Sequence, residues 1–199
     1  MNSPSATQTS PNGMVVACLG DSLTAAEVSY DWIGDLQSRP QNASIRFVNF
    51  GVGRDLSYNA LKRLPQMIQC RPDKVIVLIG GNDVLAAIDP IMRHLYGPWK
   101  HLPQKPSSQW FEENVRQIVG KLKNETTARV ALGCSLPIIG EDPESEANRH
   151  AEEYNAIIKQ IAREENVKLH TLLRANARAD RRISWTCLNR ICLFTHVAS

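Results

Sequence analysis

Apolar residues gather in five short runs along the chain, at about residues 14–19, 45–50, 74–79, 129–134 and 167–172, and each run has the length of a strand. The third, Lys74-Val75-Ile76-Val77-Leu78-Ile79, is nearly all apolar, as a strand buried on both faces of a parallel sheet must be. Between the runs the spacing changes to that of helices. Trp32, Ile33 and Leu36 make a short stripe, and Leu56, Ala60, Leu61, Leu64, Met67 and Ile68 a longer one, which Pro65 is expected to kink or divide. Ser107 or Ser108 caps a helix carrying Phe111, Val115, Ile118, Val119 and Leu122. Asp142-Pro143-Glu144 opens another, with Ala147, Ala151, Tyr154, Ile157, Ile158 and Ile161 on its buried side. Residues 88–106, with their prolines, two histidines and Trp99, read as an irregular connection with at most a short helix.

Strands alternating with helices specify an α/β protein with a mostly parallel sheet. The ends of the first three runs share one feature, a glycine turn: Gly20-Asp21-Ser22-Leu23, Gly51-Val52-Gly53-Arg54-Asp55 and Gly80-Gly81-Asn82-Asp83. Open α/β sheets bind ligands outside the carboxyl ends of their strands, so these loops lie where chemistry is done. Ser22 is the candidate nucleophile. Asp and Ser after a strand are also favoured helix N-caps, and on that stretch alone capping is the stronger reading. What changes the balance is the company: a serine, a pair of glycine amides and an asparagine on one sheet edge supply a nucleophile and the donors for an oxyanion.

Composition narrows the setting. The chain of 199 residues fits one domain with a substantial core. A net charge of +3 gives no argument for nucleic acid, and no apolar run reaches membrane-spanning length. Residues 1–13 are polar and lack the apolar core of a secretion signal, which is the basis for expecting a mobile tail and a cytoplasmic chain. Five scattered cysteines read as thiols in a reducing compartment, with no four-ligand metal set and no cofactor motif such as a complete Gly-x-Gly-x-x-Gly. From Arg174 onward the chain turns basic, with Arg178, Arg181, Arg182 and Arg190 against Asp180, and its hydrophobic residues lose their period.

The three glycine turns, in order, resemble the motif blocks of the GDSL or SGNH hydrolases: Gly20-Asp21-Ser22-Leu23 the nucleophile block, Asn49-x-Gly51-Val52 through Ser57 the glycine block, Gly80-Gly81-Asn82-Asp83 the asparagine block. Ser135-Leu136-Pro137 and Gly140-Glu141-Asp142 fit the segment after the fourth strand in many members. The resemblance implies a three-layer α/β/α fold with a five-stranded flavodoxin-like sheet over residues 14–173. It also implies hydrolysis of a small-molecule ester or thioester through an acyl-enzyme. On this chain it makes Ser22 the nucleophile. Oxyanion donors would come from the amide of Ser22, the glycine block at Gly53 and the side chain of Asn82, with Asp21 and Asp83 in support.

Two departures stand out. The family reads Gly-Val-x-Gly-Asp where this chain has Gly51-Val52-Gly53-Arg54-Asp55, so the expected glycine is either Arg54 or has moved to Gly53. The family's closing Asp-x-x-His block is absent; His196 is the only histidine after residue 170, with Leu193 three places before it. Residues 174–199 therefore read as a truncated or altered segment, and the chain as weakly active or inactive. The alternative is a non-catalytic ligand-binding or interaction protein on the same fold.

Overall fold

The computed structural model describes residues 13–134 and 144–170. Among them, β1 (Met14–Gly20), β2 (Ile45–Gly51), β3 (Lys74–Leu78), β4 (Arg129–Gly133) and β5 (Lys168–His170) form a sheet in the order β2-β1-β3-β4-β5, every pairing parallel. The helices are α1 (Ser22–Ala25), α2 (Trp32–Ser38), α3 (Ser57–Ile68), α4 (Gly81–Ile88), α5 (Pro90–Trp99), α6 (Ser108–Glu125) and α7 (Glu146–Glu164). This is the α/β architecture and flavodoxin-like strand order expected from the sequence.

Strand alternation divides the core into two layers. Ala17 and Leu19 of β1, with Val75, Val77, Val130 and Leu132, pack against α3, α6 and α7. Val16, Cys18 and Ile76 point the other way, onto Trp32, Ile33 and Leu36 of α2. Both faces of β1 and β3 are thus covered, which is why their sequences show no polar alternation. Where α6 meets α7, Phe111 and Tyr154 stack with centroids 4.8 Å apart, and Phe111 is fully buried.

The helices hold three differences from expectation. Residues 88–106 contain a ten-residue helix, α5, where an irregular connection with at most a short helix was expected. The Asp89 side chain accepts from the amides of Ile91 and Met92, and Pro90 sits at the first helical position, where its missing N–H costs nothing. Pro98 falls in the last turn. Pro65 does not divide α3, which continues from Ser57 to Ile68; the proline lies near its end, so one N–H donor is missing and one carbonyl loses its helical partner without breaking the element. The last long helix, α7, is capped by Ser145, whose hydroxyl accepts from Asn148 N–H at 3.2 Å. The expected cap at Asp142-Pro143 lies outside the described residues, as do Ser135, Leu136, Pro137, Gly140 and Glu141.

Parallel register brings the strand ends level. Gly20 lies opposite Gly51 on one side and Leu78 on the other. In this strand order the chain reverses direction across the sheet between β1 and β3, and the crevice outside their carboxyl ends is the topological switch point. No helix among the described residues is long and apolar enough to cross a membrane.

Candidate active site

Ser22 is the first residue of α1 and is partly exposed. Asp21, not Ser22, is the cap: its carboxylate accepts from Leu23 N–H at 3.0 Å. The other end of this one-turn helix is pinned by Ser29 Oγ and Trp32 Nε1, which both donate to the Leu23 carbonyl. Helix α1 packs directly on the strand ends. A Cβ at Gly20 would lie 2.1 Å from Thr24 Oγ1 and 2.5 Å from the Leu78 carbonyl, and one at Gly51 2.2 Å from the Ala25 nitrogen. These two glycines are needed for close approach.

The loop after β2 is tied to β1 by Val52 N–H donating to the Gly20 carbonyl at 3.1 Å. Its left-handed residue is Arg54, with φ +60°, and Gly53 has no positive φ. An arginine there costs roughly 1 kcal/mol relative to glycine. Gly53 meets a different constraint, because a Cβ would strike the Glu27 carboxylate. Its carbonyl accepts from Lys100 Nζ at 2.7 Å. The Arg54 side chain lies over Trp99, its Cζ 4.7 Å from the ring centroid, where the guanidinium meets the ring's negative face. The backbone amides of Ser22, Gly53 and Arg54 have no hydrogen-bond acceptor among the described residues.

Asp55 of this loop is held by Arg63 and Lys100, and Asn82 by Tyr96, three residues that no local pattern singles out. Asp55, buried, pairs with Arg63 at 2.6 Å and Lys100 at 2.8 Å. Arg63 also donates to the carbonyls of Phe50 and Gly20, bracing the last residues of β2 and β1. Tyr96 of α5 donates to Asn82 Oδ1 at 3.0 Å. Each contact spans from eight to 47 residues of sequence, so spacing within one element could not reveal them.

Asn82 sits in the first turn of α4, between Ser22's neighbour and the glycine loop. Its Nδ2 donates to the Asp55 carbonyl at 3.1 Å and, more weakly, to the Asp21 carboxylate at 3.4 Å. The 3.4 Å contact is the weaker of the two. Burial pushes the Asp21 carboxyl up to about 6, against the Leu23 amide, which holds it down.

Asp83 links the second and third loops from beneath. Its carboxylate accepts from Ser57 N–H at 2.9 Å and from Ser57 Oγ at 2.5 Å, satisfying the start of α3. Burial outweighs those bonds and raises its carboxyl to about 7. The folded chain therefore binds this proton more tightly than the unfolded chain does. The resulting stability is full below about pH 4 and is lost as pH rises through about 7, at up to about 1.4 kcal/mol per pH unit. In Asp83→Asn the side chain stays neutral, so the melting temperature of the variant relative to the unsubstituted chain should rise between pH 5 and pH 8. A difference that is flat across that range would mean that Asp83 does not titrate there.

The histidines do not gather at Ser22. His94 and His101 are exposed on and just beyond α5, and His150 on α7 faces Glu146 and Glu153. His170 ends β5 on the correct sheet edge, but three strand spacings from β1, roughly 14 Å. Its imidazole is held below the usual range by burial and by Lys168. The Ser22 hydroxyl has no hydrogen-bond partner among the described residues, and His196 lies outside them. No three His, Cys, Asp or Glu side chains among the described residues form a metal-binding group.

A model of the GDSL-like lipase/acylhydrolase family matches residues 18–188. No curated protein matches the chain. Among solved structures, a variant of Axe2, an acetyl-xylooligosaccharide esterase from Geobacillus stearothermophilus, superposes with a TM-score of 0.68 at 21% identity, covering 92% of this chain and 94% of its own. Axe2 itself, an acetylxylan esterase, gives 0.63 at 23% identity, covering 79% of this chain and 76% of its own. The acetyl xylan esterase AlAXEase gives 0.62 at 23%, covering 80% and 77%. At these identities the likeness is one of fold.

Proposed function

The chain belongs to the GDSL-like lipase/acylhydrolase family, and from that premise we propose that it cleaves carboxylic esters or thioesters through an acyl-enzyme on Ser22. The observation that carries the reading is the pairing across the switch point: Ser22 opens the helix after β1, and Asn82, in the helix after β3, reaches Asp21 beside it. The Ser22 hydroxyl attacks the carbonyl carbon, the carbonyl electron pair moves onto oxygen, and donors on three loops stabilise that oxyanion. They are the Ser22 amide, Asn82 Nδ2 and an amide of the second loop. Of the two amides open there, the Arg54 amide is the better candidate than Gly53, because Arg54 takes the left-handed position that the family fills with glycine.

Attack also requires removal of the serine proton. With no histidine at Ser22 among the described residues, we propose slow turnover. Water takes that proton only inefficiently, and the rate that remains comes from Ser22 itself attacking a carbonyl polarised by the oxyanion donors. The same gap favours a second reading, a binding protein that uses the crevice without turnover.

Hydrolysis of p-nitrophenyl acetate by the full chain and by Ser22→Ala separates the two. Slow release above the buffer rate that disappears in Ser22→Ala is the expected result. Release that is equal in both chains would remove Ser22 from the reaction.

A further inference from the structure

Helix α5 has two unlike sides. Its inner side carries Tyr96, buried against Asn82. Its outer side carries Ile91, Leu95 and Trp99 at successive helical turns, 70%, 49% and 60% exposed. Val52, 39% exposed in the loop after β2, and the Arg54 guanidinium over Trp99 carry this ridge toward the end of β2, against which α1 with Ser22 packs. Of the seven large apolar residues exposed among the described residues, six lie on segments that leave the carboxyl ends of β1, β2 and β3; Leu169 is the exception.

Charge around the ridge is mainly positive. Residues 90–111 contain no Asp or Glu, but they contain Arg93, Lys100 and Lys105. Lys100 is neutralised by Asp55. Arg93 donates to the Ala86 and Ala87 carbonyls, which leaves its charge intact. Arg54, Arg93 and Lys105 have no carboxylate in ion-pair contact among the described residues. Glu27, against Gly53, and Asp89, the cap of α5, are the acids at the border.

We propose that this face docks on an anionic lipid surface, with Ile91, Leu95 and Trp99 entering the boundary between headgroups and acyl chains while Arg54, Arg93 and Lys105 meet the headgroups. A narrow convex ridge of aliphatic and tryptophan side chains flanked by cations suits a fluid interface that closes around it. Docking there brings Ser22 to the interface; that consequence rests on the hydrolase reading, whereas the binding itself does not.

Co-sedimentation of the full chain with vesicles tests it, using phosphatidylcholine alone and an equal mixture with phosphatidylglycerol. The chain should pellet with the mixed vesicles and much less with phosphatidylcholine. The triple variant Ile91→Ser, Leu95→Ser, Trp99→Ser should lose that binding; it also gives up the Arg54 contact with Trp99, so its melting transition should be lowered but still cooperative, which shows that the variant is folded. Arg54→Gln with Lys105→Gln should weaken binding to the mixed vesicles by about fivefold per cation removed. Ser22→Ala should bind as the parent does, so loss of hydrolysis and loss of docking are read separately. The proposal is overturned if the parent stays in the supernatant, if both vesicles bind it equally, or if the folded triple variant still pellets. A parent that is dimeric without vesicles and becomes monomeric in the triple variant would also overturn it, by making this face a contact between two copies.

Discussion

Asn82→Ala should slow the reaction of Ser22 with a fluorophosphonate by about 10²–10³-fold, the usual consequence of deleting one oxyanion-hole donor. The side chain is poised for that role. Tyr96 fixes its oxygen, the Asp55 carbonyl takes one N–H, and the remaining N–H rests on Asp21 at 3.4 Å, a contact weak enough to exchange for a stronger acceptor. Deletion also leaves the Tyr96 hydroxyl and the Asp55 carbonyl short of a partner, which should cost about 1–3 kcal/mol of stability. The rate must therefore be read below the variant's melting transition. Asn82→Asp keeps the shape but replaces the donor by an acceptor, and should be at least as slow. A folded Asn82→Ala chain that reacts as fast as the parent would remove Asn82 from the oxyanion site.

Phe111→Ala should destabilise the chain by about 3–5 kcal/mol, from the lost transfer energy of the ring and the cavity left behind. Phe111 is completely buried where α6 meets α7, and its neighbour Tyr154 cannot follow the space without leaving its own packing. Against a total stability of about 5–15 kcal/mol, that is a large fraction. The effect reaches the site, because α6 also carries Asn114, whose side chain donates to the Ser57 hydroxyl beside Asp83. A urea midpoint shifted strongly downward, with Phe111→Leu shifted less, is the expected pattern; unchanged midpoints would mean that this contact is not part of the core.

The sequence made the central sheet legible because β1 and β3 are covered on both faces, and burial of that kind leaves a continuous apolar run. It made Ser22 and Asn82 legible because glycine turns mark strand ends, and the register of Gly20 with Gly51 and Leu78 brings those ends together. Helix α5 was underestimated because of its prolines, although Asp89-Pro90 is a cap followed by a first helical position and Pro98 falls in the final turn. The second loop was ambiguous for a different reason. Glycine is only one residue that a left-handed turn accepts, and the strain at Arg54 is offset by contacts such as its seat on Trp99. Arg63, Lys100 and Tyr96 reach the site by long side chains from distant positions, a relation that periodicity does not encode.

The most direct test of Ser22 as an activated nucleophile in a preformed site is the intact mass of the chain after incubation with a fluorophosphonate. A single adduct that forms slowly, maps to Ser22 and is absent from Ser22→Ala is the predicted result. A chain that stays unmodified, or an adduct that persists in Ser22→Ala, would contradict it.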